Sequence, residues 1–248
     1  VRAEAAAPDP SGDIDLGRID ADGCTEGVFG ELPYFRLVTR AGYRQKSSTD
    51  LNIVLRDGCV LVRKGFRGNR EPFEREKRNL TALAGCVNVP ALHAFDSPRT
   101  ILYKQLIPGW AVNHVLAARG GRILQAQTHQ DKELLSLTAD QRIGAVLARG
   151  AALVPECLSA EFVRRMSLEI ECIHRVGVVK LSVTFGNIIV HAGTGEPWFI
   201  DLEDSRAYPR WHPAYSYWAR RDWRMFRRCY PPGAPASSRN QLTCQHPR

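Results

Sequence analysis

The chain has no run of the roughly 18 consecutive apolar residues that a membrane-crossing helix needs. Its apolar content, 44% of 248 residues, is therefore available for a core. It has no Cys-x-x-Cys pair. Its seven cysteines, at 24, 59, 86, 157, 172, 229 and 244, are odd in number and scattered, which argues against a zinc site or a disulfide framework. Residues 1–23 lack the basic-then-apolar order of a secretory signal. With thiols of this kind, a reducing cytoplasm is the expected setting. Internal repeats are absent, and so is any Asp or Glu between Arg175 and Asn187.

The chain does carry an excess of positive charge, a formal +8. That balance favours anionic partners: nucleotide, nucleic acid, anionic lipid or phosphosugar. Its length suits one large domain or two small lobes around a cleft. Residues 1–30 read as a flexible acidic leader. A strand is expected at 34–40. Leu51–Leu55 and Cys59–Lys64 read as a hairpin turning at Asp57-Gly58. Pro72 is placed to start a helix running through Leu83, with Phe73, Leu80 and Leu83 on one side and Glu76 nearby. Two more strands are expected over 91–95 and 100–107. Residues 111–160 have a helical composition, and Glu161–Arg175 predicts a helix that Gly177 terminates. A β-rich first part and a helical second part imply an α+β molecule with two lobes, 31–109 and 110–230, and a disordered tail from 231.

The strongest local pattern comes late. Ile188–Val190 and Trp198–Ile200 are apolar runs joined by the turn-forming Ala192–Pro197. Asn187 precedes the first run and Asp201 follows the second, so a hairpin would bring the two oxygen-bearing side chains together. Upstream, Lys64 closes an apolar strand, where an ammonium can reach nucleotide phosphates. Glu76 on the next helix is placed to hold it by an ion pair. Each of these residues alone also fits an ordinary solvated surface.

Together they resemble the protein-kinase-like superfamily, in particular the small bacterial branch of lipopolysaccharide core-sugar kinases and Rio-like kinases. The resemblance runs over about residues 45–230. Leu61-Val62-Arg63-Lys64 matches the nucleotide-binding lysine strand and Arg75-Glu76 the helix glutamate. Leu106-Ile107-Pro108-Gly109 resembles the hinge between lobes. Ile173–Val179 resembles the helix end entering the catalytic loop. Gly186-Asn187-Ile188-Ile189-Val190 and Ile200-Asp201-Leu202-Glu203 match the two metal-binding segments. The resemblance implies ATP and Mg²⁺ as cofactors, with Lys64 and Glu76 at the nucleotide and Asn187 and Asp201 at the metal. It implies phosphoryl transfer to a hydroxyl of a sugar or protein. Two departures stand out. The position of the catalytic Asp is Ser182, preceded by Lys180, a candidate for neutralising phosphate charge. Ser47-Ser48-Thr49-Asp50 stands where phosphate-loop glycines are expected. A serine is no base near neutral pH, so the expected alternatives are a weakened kinase or a pseudokinase scaffold.

Three features stay open on sequence alone. His174 is either catalytic or a packing residue at a helix end. Asp204 is either a second acid near the metal or a solvated loop residue. Residues 211–230 mix five arginines (220, 221, 224, 227, 228) with Trp218, Trp223, Phe226 and Tyr230. Trp218, Arg221 and Arg224 fall on one helix side. The segment reads as an amphipathic helix with its arginines outward, or as a surface for an anionic partner such as nucleic acid.

Overall fold

The computed structural model describes residues 12–19, 49–112, 115–116, 148, 151–152, 154–155 and 157–231. Asp57 and Gly58 both adopt positive φ, 51° and 76°. That is the twist a tight hairpin requires and the reason for Asp-Gly there. The turn joins β2 (Asp50–Arg56) to β3 (Cys59–Gly65), with Arg56 opposite Cys59 and Asp50 opposite Gly65. β4 (Leu92–Asp96) and β5 (Ile101–Gln105) form a second antiparallel pair, and β5 lies against β3. An edge strand, β1 (Ile14–Ile19), completes a five-stranded sheet of order β1-β2-β3-β5-β4. β1 lies inside the stretch read as a flexible leader. Its backbone is instead paired along β2, with a register shift between Asp15 and Gly17.

Helix α1 (Arg70–Leu83) follows β3. It begins two residues before Pro72, which sits in the first turn, where a missing N–H costs nothing. Phe73, Glu76, Leu80 and Leu83 share its buried face at helical spacing. Helix α2 (Ala160–Arg175) is capped by Ser159, whose Oγ accepts from Phe162 N at 3.1 Å. Phe162, Met166, Ile170 and Ile173 form its buried stripe. The helix stops at Gly177, whose φ is 93° and where a Cβ would lie 2.8 Å from Tyr208 O. β7 (Val178–Val179) then pairs with β10 (Arg206–Ala207).

A second sheet, of order β6-β8-β9, is built from β6 (Gly109–Ala111), β8 (Ile188–His191) and β9 (Pro197–Phe199). Its entry depends on Gly109. With φ of 155°, a Cβ there would meet Val190 O at 2.2 Å and Ile189 Cγ2 at 2.8 Å. Helix α3 (Pro213–Cys229) is capped by His212, which accepts from Ala214 N, and buries Asp222, Phe226 and Cys229.

One apolar cluster joins these parts. Phe73, Leu80 and Leu83 of α1, Met166 and Ile170 of α2, Ile188 and Phe199 of the second sheet, and Phe226 of α3 all belong to it. The molecule is thus α+β with antiparallel sheets. Among the described residues no helix is long and apolar enough to cross a membrane. The strand expected at 34–40, the tail beyond 231 and most of the helical composition over 111–160 fall outside the described residues.

Candidate functional site

Strand parity decides which charged groups meet. In the β3–β5 pair Lys64 stands opposite Leu102 and Val62 opposite Lys104. Directly opposed residues share a face, and so do residues two apart. Lys64 and Lys104 therefore project diagonally from one side of the sheet, toward α1. Glu76 on α1 meets both. Its Oε2 accepts from Lys64 Nζ at 2.6 Å and its Oε1 from Lys104 Nζ at 2.6 Å. All three residues are buried, Glu76 completely.

Asp201 and Glu203 approach the same ammonium from the far end of the second sheet. Lys64 Nζ donates to Asp201 Oδ1 at 3.0 Å. Glu203 Oε2 also lies 3.0 Å from Nζ, an ion pair outside hydrogen-bond geometry. Lys104 donates additionally to Ile200 O at 3.1 Å. Oxygens of Glu76, Asp201 and Glu203 lie within 4.8 Å of one another. Among the described residues the site thus holds three carboxylates against two ammonium groups, one negative charge in excess.

Helix α1 also fixes the backbone that carries the acids. Arg75 Nε donates to Glu203 O at 2.6 Å. Asn79 Nδ2 donates to Leu202 O and Ser205 O, both at 3.2 Å. Leu202 is buried in the common core. The helix that positions Glu76 therefore positions Asp201 as well, and a shift of α1 would move both.

The electrostatics follow from this crowding. Burial pulls the Lys64 pKa down, but the combined field of Asp201, Glu76 and Glu203 overrides it and holds the ammonium well above its ordinary range. Burial also pushes Asp201 upward, and Lys64 and Lys104 together more than reverse that, so its carboxyl sits below the usual value. For Glu203 burial wins: with Asp201 adding repulsion, its carboxyl is held above the usual value despite Lys64.

The hairpin places Asn187 beside this segment, since Ile200 N donates to Asn187 O at 3.1 Å. The Asn187 amide nitrogen donates to Ser182 O at 3.2 Å, and Oδ1 makes no hydrogen bond among the described residues. Thr184 N also donates to Ser182 O, at 2.8 Å, closing a tight loop. Lys180 enters that loop with φ of 62°, a conformation disfavoured for a side chain of this size. Its ammonium lies 5.3 Å from the Trp218 ring, with Arg221 at 5.2 Å from the same ring. Lys180 is thus directed at α3.

Lys64, Glu76 and Asp201 meet in one cluster, while Asn187 is joined through its backbone carbonyl to Ile200, the residue before Asp201. Ser182 contributes backbone oxygen contacts to Asn187. Asp204 is exposed. His174 is buried against Asp222, its Nε2 3.0 Å from Oδ2. On α3 Arg220, Arg224, Arg227 and Arg228 are exposed while Phe226 and Cys229 are buried, the amphipathic arrangement. Sequence reasoning missed Lys104 and Glu203 as site residues. A lysine inside an apolar strand was the available signal for the first. An acid two residues beyond Asp201 was the signal for the second.

No protein-family model matches the chain, and a comparison with curated proteins returns no match.

Proposed function

We propose that the chain is a kinase-like protein of two lobes whose cleft takes ATP and Mg²⁺. The observation that carries this reading is the buried Lys64–Glu76 ion pair at 2.6 Å with Asp201 on the same ammonium at 3.0 Å. An ammonium with its base fixed on a helix is preorganised to receive phosphate oxygens. The donor set fits a hard divalent cation: the Asp201 carboxylate and the Asn187 amide oxygen are the oxygen ligands Mg²⁺ prefers, in a site with one negative charge to spare. When bound, the ion would neutralise phosphate charge. The protein's own part is to hold Asp201 through α1 and to present Lys64.

Turnover is where the reading divides. No carboxylate lies between Arg175 and Asn187, so nothing in the 182–187 loop takes a proton from an acceptor hydroxyl. Losing a general base costs about 10² to 10⁴ in rate, while positioning and charge stabilisation survive. Weak phosphoryl transfer to a sugar or protein hydroxyl is the active form of the reading. A nucleotide-binding scaffold is the inactive form, favoured by Lys180 being held on Trp218.

ATP turnover by the wild type and Ser182→Asp, with equilibrium ATP binding by Lys64→Met, tests both parts. The expected results are a gain in turnover of at least tenfold in Ser182→Asp and loss of ATP binding in Lys64→Met. Undiminished ATP binding by Lys64→Met would refute the nucleotide cleft. An unchanged rate in Ser182→Asp would count for the scaffold.

A further inference from the structure

A second set of charged groups lines a cavity of about 290 Å³ between the C-terminal half of α2 and α3. Glu171, His174, Arg175, Arg210, Tyr215 and Trp223 line it. The size is near the lower end for small-molecule sites.

His174 supplies the polar floor. It is only 5% exposed, and its Nε2 lies 3.0 Å from Oδ2 of the fully buried Asp222. A carboxylate only accepts, so Nε2 carries the hydrogen and the neutral ring keeps its lone pair on Nδ1. Nδ1 makes no hydrogen bond among the described residues. As an imidazolium the ring donates from Nδ1 as well, with Asp222 on the opposite nitrogen. The helix backbone is braced there too. The His174 carbonyl accepts from Tyr215 Oη at 3.0 Å and from Gly177 N at 2.9 Å.

Two guanidinium groups reach the same cavity. Arg175 comes from α2 and Arg210 from the segment before α3, and neither makes an ion pair or hydrogen bond among the described residues. Glu171 is one helical turn from Arg175 yet is not paired with it. Trp223 closes one wall, edge-on to the His174 ring at 6.1 Å and 86°. Among the described residues, the charged and titratable groups that meet His174 are therefore Glu171 and Arg175 from its own helix, Arg210 from the segment before α3, and Tyr215 and Asp222 from α3.

We infer that this cavity binds a small oxyanion, a sulfate, a phosphate or the anionic head of a small organic molecule, held by Arg175, Arg210 and protonated His174. Asp222 balances the imidazolium, so the two arginines leave the cavity net positive against Glu171 alone. This inference does not depend on the nucleotide reading.

Sulfate is the probe, because it is an oxyanion that stays fully ionised around neutral pH. The full chain is titrated with sodium sulfate against sodium chloride at matched ionic strength, following the melting temperature and the ring resonance of His174. The expected result is a saturable stabilisation specific to sulfate. Arg175→Gln and Arg210→Gln change exposed side chains and leave the fold in place. Each should weaken sulfate binding about tenfold, and Lys64→Met should leave it unchanged. Equal shifts with chloride and sulfate, or full sulfate binding by the double arginine variant, would overturn the site. Loss of the response in Lys64→Met would assign the sulfate to the other cluster and overturn it equally.

Discussion

Glu76→Gln is the substitution that most directly loads the buried cluster. In the wild type each Glu76 oxygen accepts one ammonium hydrogen bond at 2.6 Å. Glutamine keeps one oxygen and presents an NH₂ group in place of the other, so one lysine faces donors. Lys64 retains Asp201 and Glu203 at 3.0 Å. Lys104 retains only the Ile200 carbonyl at 3.1 Å and is buried under α1, so the loss falls on it. Removing one partner of a buried pair costs about 3–5 kcal/mol, a large share of the roughly 5–15 kcal/mol by which a domain is stable. The urea midpoint should fall by roughly 1–2 M. Lys104→Met added to Glu76→Gln removes the stranded ammonium. The double variant should recover more than half of the loss, a coupling of about 2 kcal/mol or more in the cycle. A loss under about 1 kcal/mol in Glu76→Gln, or simple additivity in the cycle, would show that Glu76 does not bridge the two lysines.

Further outcomes follow from the same geometry. Gly109→Ala puts a Cβ 2.2 Å from a main-chain oxygen of β8, and should cost more than about 2 kcal/mol in thermal denaturation. Gly58→Ala, whose Cβ would meet nothing within 4 Å, should cost about 1 kcal/mol. Glu203 is held above the usual carboxylate range by burial and by Asp201. Its folded form therefore binds a proton more tightly than its unfolded form, and stability falls as pH rises from about 4.3 through the raised value. Glu203→Gln should be more stable than wild type at neutral pH, with the advantage shrinking toward about pH 3 in urea titrations; a variant less stable at neutral pH contradicts the assignment. Asp201 runs the other way. Its lowered carboxyl contributes stability above about pH 3.9 that is lost as pH falls through the depressed value, so Asp201→Asn should be costly at neutral pH and nearly neutral in strong acid.

Elements specified by neighbouring residues were legible in the sequence. Asp57-Gly58 announces the β2–β3 hairpin because both residues must take positive φ. The spacing of Phe162, Met166, Ile170 and Ile173 announces α2, and Gly177 its end. The turn between Ile188–Val190 and Trp198–Ile200 announces β8 and β9, and with them the approach of Asn187 to the Asp201 segment. What depends on distant pairing was not legible. β1 is a strand only because β2, more than thirty residues away, supplies its hydrogen bonds. Lys104 joins the site through the β3–β5 register, which no local pattern encodes. Arg75 and Asn79 look like surface helix residues until the carbonyls of 202–205 are found beneath them. β7 and β10 are two-residue strands, below what periodicity can reveal.

The central claim is that Lys64, Asp201 and Asn187 form a metal-assisted nucleotide site. Its most direct test is the melting temperature of the wild type and Asp201→Asn titrated with ATP, with and without Mg²⁺. The account predicts a saturable rise in the wild type that requires Mg²⁺ and is lost in Asp201→Asn. A wild type that gains nothing from ATP and Mg²⁺, or a variant that gains as much, would contradict it.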